Sequence, residues 1–233
     1  MSFYVSSGIY SFIANLAIGL FVFLQNPREP INILFSLFSF TVSFWSVGSF
    51  LENVIPDKNL ALMVLRFNYL CAVWLPSVYI HLVYAMTQAF SKLNRTKLRM
   101  AYCTSLSLTL ALFTPWFISG LRVIAGYDFY ISSPGPVYFI FFGFFSIGMW
   151  EVLSHTFFRL NHYSGSQQSQ IKFITIANAI AIFAGFEYFS SVFGILKRPP
   201  LDDYILVVYL SVVAYAITKH RLMDITVIIS RTL

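Results

Sequence analysis

The 233-residue chain is 58% hydrophobic and 19% aromatic, carries only 10% charged residues, and has a formal net charge of +6. A soluble domain averages about 25% charged residues, so this chain has too few charges to cover a water-facing surface. The composition therefore excludes an ordinary soluble protein. Because the positive charges lie at the ends of apolar segments and form no extended patch, they do not indicate a nucleic-acid partner.

Seven apolar runs follow one another, and several exceed the roughly 20 residues that a helix needs to cross a bilayer. They are Tyr4–Gln25, Ile31–Val54, Leu60–Phe90, Ala101–Ser119, Pro136–Leu160, Phe173–Val192 and Tyr204–Thr218. Charged, proline and glycine residues separate the runs, which predicts loops there, including Ser91–Met100 and Gly120–Gly135. The pattern predicts an all-α membrane protein, a bundle of seven transmembrane helices. The short seventh run leaves six helices as an alternative.

Lysine and arginine residues indicate the orientation, because cytoplasmic loops carry an excess of them. With the N-terminus outside, ten of the fifteen basic residues fall on the cytoplasmic side, four of them between Lys92 and Arg99. We therefore predict an external N-terminus, a cytoplasmic C-terminus and a multi-pass protein of the cell membrane. The predicted seven-helix module covers residues 1–219, and residues 220–233 form a predicted cytoplasmic juxtamembrane segment.

Polar residues recur in the outer halves of three predicted helices, where such groups are costly in hydrocarbon and often functional. Trp45 and Glu52 share one face of the second helix, Arg66 and Asn68 lie early in the third, and Glu187 lies in the sixth. Arg66 is the natural ion-pair partner for Glu52 or Glu187. Two interpretations remain open: a structural ion pair near the headgroups, or an outward-facing pocket for a small ligand.

A second polar group lies nearer the cytoplasm. Glu151 and His155 are four residues apart on one helix face, and His81 is predicted at a comparable depth. The arrangement fits a buried hydrogen-bonded pair, proton or pH sensing, or a metal or haem site. Since Cys71 and Cys103 lack the spacing of a metal motif, we predict no metal and no cofactor.

Several functional classes are excluded by the motifs that the chain lacks. No lysine lies in the middle of a predicted helix, as a retinal Schiff base requires. The sequence contains no glycine-rich phosphate loop and no HExxH zinc motif. Because no acid, base and nucleophile converge, we do not expect an enzyme.

Besides binding a small ligand, two further functions fit the residues. A small transporter or channel-like protein needs a continuous polar path, for which the inner half offers mainly the second polar group and Asn178. A scaffold subunit would dock other membrane proteins through the small residues Ala177, Ala181 and Gly185 on the sixth helix, since small residues at that spacing let helices approach closely.

Short motifs along the chain resemble those of a known family. They are the closing segment Tyr215–Ile225, Phe44–Gly48 with Glu52, Trp74–Pro76 followed by His81, Pro134–Tyr138, Gln170, and Val192–Ile195. Each is mostly apolar with one or two polar residues. Their order and spacing together resemble the N-terminal seven-transmembrane sensor region of bacterial and archaeal histidine kinases, and the resemblance covers essentially the whole chain.

The resemblance implies a membrane input module that detects a small-molecule or lipophilic ligand and relays it to a cytoplasmic output. That output is a histidine kinase, a PAS or GAF domain, or a cyclic-dinucleotide enzyme, and a homodimer is favoured. The chain shows no phosphoacceptor region or nucleotide-binding domain, so we expect the sensor portion of a longer protein or a stand-alone version. Arg221 and Asp224 mark the predicted signal exit, where the seventh helix either continues or turns along the membrane.

Overall fold

The computed structural model describes residues 3–232, with side chains for all of these except 166, 167 and 220–232. In this range the chain forms seven α-helices and one β-hairpin. The helices are α1 (Phe3–Gln25), α2 (Pro30–Val54), α3 (Lys58–Met86), α4 (Lys92–Ala111), α5 (Pro136–Arg159), α6 (Gly165–Val192) and α7 (Asp202–Thr232). Strands β1 (Ile118–Ile124) and β2 (Phe129–Pro134) lie between α4 and α5.

Six helices surround the interior in the order α1, α2, α3, α5, α6 and α7, and α7 packs back against α1. α4 lies outside this ring, against α3 and α5. Successive helices run in opposite directions, so the hairpin shares one end of the bundle with the starts of α1, α3 and α7 and the ends of α2 and α6. We call this the hairpin end. The opposite end, which carries Lys97 and Arg159, is the basic end.

Within the described residues, five helices are long and apolar enough to cross a membrane, namely α1, α2, α3, α5 and α6. α4 carries four basic residues in its first eight, and the part of α7 with described side chains carries Asp202, Asp203 and Lys219. These charges explain why neither helix meets the same criterion. The seven predicted helices are present, and five of them qualify as spans by length and composition.

The fourth helix begins and ends earlier than predicted. It covers Lys92–Ala111, whereas the apolar run predicted Ala101–Ser119. Ser91 caps the helix, because its Oγ accepts a hydrogen bond from the backbone N–H of Asn94 at 3.2 Å. Capping and backbone hydrogen bonds set a helix boundary, and long basic side chains can reach away from an apolar surface. The loop prediction for Ser91–Met100 is therefore wrong over most of its length.

The loop predicted at Gly120–Gly135 is also wrong, since most of it forms the hairpin. β1 and β2 are antiparallel, with Ile124 opposite Phe129. Gly126 has φ +85° and Asp128 has φ +48° in the connecting turn, a left-handed conformation that glycine adopts freely and aspartate tolerates. The signal in the sequence was a pair of β-branched and aromatic runs around this turn.

Buried serine and asparagine side chains bond α2 to the backbone of α1. Asn32 Nδ2 donates to Val22 O at 2.9 Å, Ser36 Oγ to Gly19 O at 2.9 Å, and Ser39 Oγ to Asn15 O at 2.6 Å. Small polar residues allow such close helix contacts in membranes. We call this contact the α1–α2 seam.

Candidate ligand cavity

An internal cavity of about 60 Å³ lies where the two apolar core clusters of the bundle meet. Its wall includes Trp45 from α2, Tyr79 from α3, Phe145 from α5, Tyr188 from α6 and Asp202 from α7. One water needs roughly 10–15 Å³ of such space, so the cavity has room for several waters or a small ligand. Five helices therefore contact whatever occupies it.

Small side chains on α3 and α6 leave this space open. Ala72, Ala181, Ala184 and Gly185 all line the cavity. Of the predicted small-residue stripe, Ala177 is fully buried and Ala181 is 9% exposed. These two stripe residues thus face the interior of the bundle, whereas a scaffold interface needs them on the outer surface.

Asp202 gives the cavity an acidic group at the first turn of α7. Trp45 lies beside it, and the indole Nε1–H donates to Asp202 Oδ2 at 3.5 Å. The Trp45 ring is in edge-to-face contact with Tyr69 and Tyr188, at centroid distances of 5.3 and 5.0 Å. This end of an otherwise apolar cavity is therefore polar and aromatic.

Tyr69 joins the hairpin to the cavity wall through its hydroxyl group. It forms hydrogen bonds with the hydroxyls of Ser132 in β2, Tyr138 in α5 and Tyr188 in α6, at 2.8, 2.9 and 2.7 Å. Tyr69, Ser132 and Tyr138 are buried completely. Tyr188 lines the cavity, so this network joins the hairpin to the cavity wall.

Three buried carboxyl groups gather at the hairpin end. Glu52, Asp202 and Asp203 are 5–6% exposed, and both aspartates act electrostatically on Glu52. Ser7 Oγ of α1 donates to Asp203 Oδ2 at 3.3 Å, and Ser11 Oγ donates to the Asp203 carbonyl at 3.0 Å. The start of α7 is thereby bonded to α1 by serines.

Several buried polar atoms in this region have no hydrogen-bond partner among the described side chains and backbone. They are Glu52 Oε2, Asp203 Oδ1, and both the Oδ1 and Nδ2 atoms of Asn68. Asn68 lies against Gly48, where an added Cβ would come within 2.3 Å of the Asn68 Oδ1 atom. Buried polar groups normally find partners. These atoms are therefore available to a polar ligand or to water.

Three of the five residues predicted for a ligand site lie near one another. Trp45, Glu52 and Asn68 lie together at the hairpin end, on or beside the α2 face that the spacing indicated. The predicted pairing of Arg66 with a glutamate is wrong. Arg66 donates to the carbonyls of Phe113 at 3.4 Å and Ile118 at 3.1 Å, and so bonds to the segment that enters the hairpin.

Glu187 has a different partner from the one predicted. Arg198, in the connection between α6 and α7, forms a salt bridge with Glu187 at 2.7 Å. This connection folds back over the end of α6 and brings Arg198, eleven positions along the chain, within hydrogen-bond distance of Glu187. The ion pair therefore fixes the α6–α7 connection to the hairpin end of α6.

The second polar group is divided between separate contacts. Glu151 accepts hydrogen bonds from Lys97 Nζ at 2.8 Å and from the Tyr84 hydroxyl at 2.7 Å. His155 Nε2 shares a hydrogen bond with Thr87 Oγ1 at 3.1 Å. His81 lies on the α4 side of α3, and its Nδ1 shares a hydrogen bond with the Tyr102 hydroxyl at 3.1 Å. Among the residues described, no three His, Cys, Asp or Glu side chains are arranged to hold a metal ion.

A series of hydrogen-bonded side chains runs from the cavity wall toward the basic end. The Tyr79 hydroxyl donates to Asn178 Oδ1, and Asn178 Nδ2 donates to Thr156 Oγ1 at 3.1 Å. All three residues are buried. A transport path through this series would require these bonded side chains to separate.

Asp202, Asp203 and Tyr188 were not predicted as site residues. The two aspartates were assigned to a loop, although an acidic pair directly before an apolar run is a helix-start signal. Tyr188 follows Glu187 and lies on the cavity side of α6. The periodicity of α6 could have indicated that face, but the identity of its neighbours on α2 and α3 required the fold.

The fold defines a multi-helix membrane protein with a mostly apolar cavity between five of its helices. A model of the family described as the N-terminal 7TM region of histidine kinase matches residues 8–226. The chain therefore belongs to this family, as its motifs indicated, and it is a multi-pass cell-membrane protein of the sensor type. No curated protein sequence matches it.

Proposed function

We propose that the chain is a non-enzymatic input module whose internal cavity binds a small ligand and whose α7 relays occupancy to a cytoplasmic output such as a histidine kinase. One observation carries the proposal. Asp202, Leu206 and Tyr209 of α7 line the cavity, and the same helix continues to Thr232. A ligand in the cavity thus touches the element that leaves the bundle at the basic end.

The cavity wall supports a ligand with an apolar body and one hydrogen-bond donor or cationic group. Most of the wall is aliphatic or aromatic, while Asp202 offers a buried carboxylate next to Trp45 and Tyr188. A buried acidic group is costly even with the long Trp45 hydrogen bond, so a further donor group on the ligand would be favoured there. Aromatic faces beside it add cation–π attraction for a charged group.

The proposed orientation places the hairpin end outside and the basic end in the cytoplasm. Four basic residues begin α4 and Arg159 ends α5 at the basic end, whereas three buried carboxyl groups lie at the hairpin end. This distribution agrees with the excess of basic residues on cytoplasmic sides. The side chains of Arg221 and Asp224, the predicted signal exit, lie outside the described residues. The α7 helix continues through their positions, which supports a rigid relay.

The relay requires two packings of α7 that bind the ligand with different affinity, because a ligand shifts an equilibrium only through such a difference. Family likeness also favours a homodimer, in which a shift of α7 would alter the contact between paired outputs.

The relay can be tested by filling the cavity. Ala184 is 2% exposed and lines it, so Ala184→Phe should occupy the space and displace α7. Spin labels on the native Cys103 of α4 and on Ser211→Cys of α7, in a Cys71→Ser background, report the distance between these helices in nanodiscs. We expect a shifted distance distribution. Ile176→Phe, at a 48% exposed position on α6, is the matched control. Identical distributions for both variants would contradict the relay.

A further inference from the structure

A second space borders the internal cavity on the outer side of the bundle. This crevice has a volume of about 350 Å³ and lies between α5 and α6. Its outer wall includes Trp150, Phe186 and Ile195, which are 66, 58 and 70% exposed. Both helices meet the length and hydropathy requirements of membrane spans. The crevice therefore faces the hydrocarbon of the bilayer.

The crevice and the cavity share one wall. Phe145, Met149, Gly185 and Phe189 line both spaces. The rings of Phe145 and Phe189 meet edge to face at 5.3 Å between centroids. Gly185 packs closely against this pair, since an added Cβ would come within 3.3 Å of Phe145 Cε1. Only side chains and one glycine separate bilayer from cavity.

The wall is built from groups that can move without breaking hydrogen bonds. Phenylalanine and methionine side chains have no polar atoms to satisfy, and methionine adapts readily to new neighbours. The α1–α2 seam on the other side of the bundle is bonded by buried serines and asparagine. Movement of the wall side chains therefore costs packing alone, whereas an opening at the seam would also expose unpaired polar groups to lipid.

We propose that the ligand is lipophilic and reaches the cavity sideways from the bilayer, through the α5–α6 crevice, with the Phe145 and Phe189 rings as the gate. This inference rests on the proposed function, because it identifies where the cavity ligand comes from. It also narrows the ligand class to molecules that partition into hydrocarbon, with the donor group arriving at Asp202 after the apolar part has passed the gate.

Tryptophan fluorescence tests the route directly. Trp45 lines the cavity and is 5% exposed, while Trp150 lines the crevice. In a chain with Trp45 as its sole tryptophan (Trp74→Phe, Trp116→Phe, Trp150→Phe), 1-bromohexane dissolved in lipid nanodiscs quenches Trp45 only if it enters the cavity. We expect clear quenching, and absence of quenching would overturn the proposal. A chain whose sole tryptophan is Trp150 shows that the bromoalkane is present.

Two substitutions at the gate identify the path. Gly185→Val adds bulk to the wall between the crevice and the cavity and should reduce Trp45 quenching several-fold. Phe145→Ala removes a ring from the same wall and should increase the quenching. Gly143→Val is the matched control, since nothing lies within 4 Å of a Cβ at Gly143. Equal quenching in Gly185→Val, Phe145→Ala and Gly143→Val would show another route and overturn the gate.

The outcome is separable from that of the proposed function. Quenching of Trp45 without any response of α7 to Ala184→Phe supports the lateral route and contradicts the relay. A response of α7 without quenching supports the relay and contradicts the route.

Discussion

The two sides of the bundle are held together by different forces. At the α1–α2 seam, serine and asparagine side chains bond to backbone carbonyls, and Gly8 and Gly19 allow close approach. Between α5 and α6 at mid-depth, phenylalanine rings pack around a crevice. The difference indicates a fixed side and a side that can yield, with the cavity between them. A sensor needs a side that can open, so that a ligand can enter. It also needs a fixed side, against which a helix can move when the ligand binds.

Close backbone packing at the seam provides the strongest test of this difference. A Cβ at Gly8 would lie 2.5 Å from the Ser46 carbonyl oxygen. Since this obstacle is backbone, we expect Gly8→Val to lower the free energy of unfolding by about 3 kcal/mol, near the upper end of the usual cost of overpacking. Unfolding in mixed micelles measures it. Gly143→Val on α5 is the control, and equal losses would remove the distinction between the two sides.

Tyr69 of α3 bonds the hairpin to the yielding side of the bundle. Tyr69→Phe removes the hydroxyl that bonds Ser132, Tyr138 and Tyr188. We expect a loss of about 1–2 kcal/mol, because buried hydroxyls are left with fewer partners. Faster amide exchange in the hairpin, measured by mass spectrometry, should accompany the loss. Tyr10→Phe, at a 62% exposed position, should change neither quantity, and a Tyr69→Phe protein that behaves like it would contradict the network.

A single seam hydrogen bond should have the smallest effect. Ser39→Ala removes the 2.6 Å bond to the Asn15 carbonyl, and we expect about 0.6 kcal/mol, the average for such bonds between membrane helices. Ser146→Ala, at an exposed position in the crevice, should be neutral in the same unfolding measurement. If the crevice serine cost more than the seam serine, polar bonding would not be what distinguishes the sides.

Helical periodicity accounts for the shared position of Trp45 and Glu52. Trp45 and Glu52 share a helix face at any tilt of α2, because residues seven apart are two turns apart. The partner of Arg66 could not be found in the same way. Its guanidinium donates to backbone carbonyls at the entry to the hairpin, and the hydropathy pattern had not predicted that hairpin.

The acidic end of α7 shows the same limit from another direction. Asp202 and Asp203 are adjacent to a charged, proline-containing connection, so local composition predicted that they lie in a solvent-exposed loop. In the fold both are buried against α1 and α2, where Ser7 and Trp45 bond to them. Which polar residues of a loop become enclosed depends on the helices that surround them.

The sequence by itself determined the class of this protein, its family, the existence of seven helices, and the α2 face that Trp45 and Glu52 share. These follow from composition and from periodicity, which act along one segment at a time. Only the tertiary structure decided the limits of α4, the hairpin, the partners of Arg66 and Glu187, and the cavity with its adjoining crevice. Those features depend on which segments meet in space, because capping, ion pairing and packing are chosen among neighbours that lie far apart in the chain.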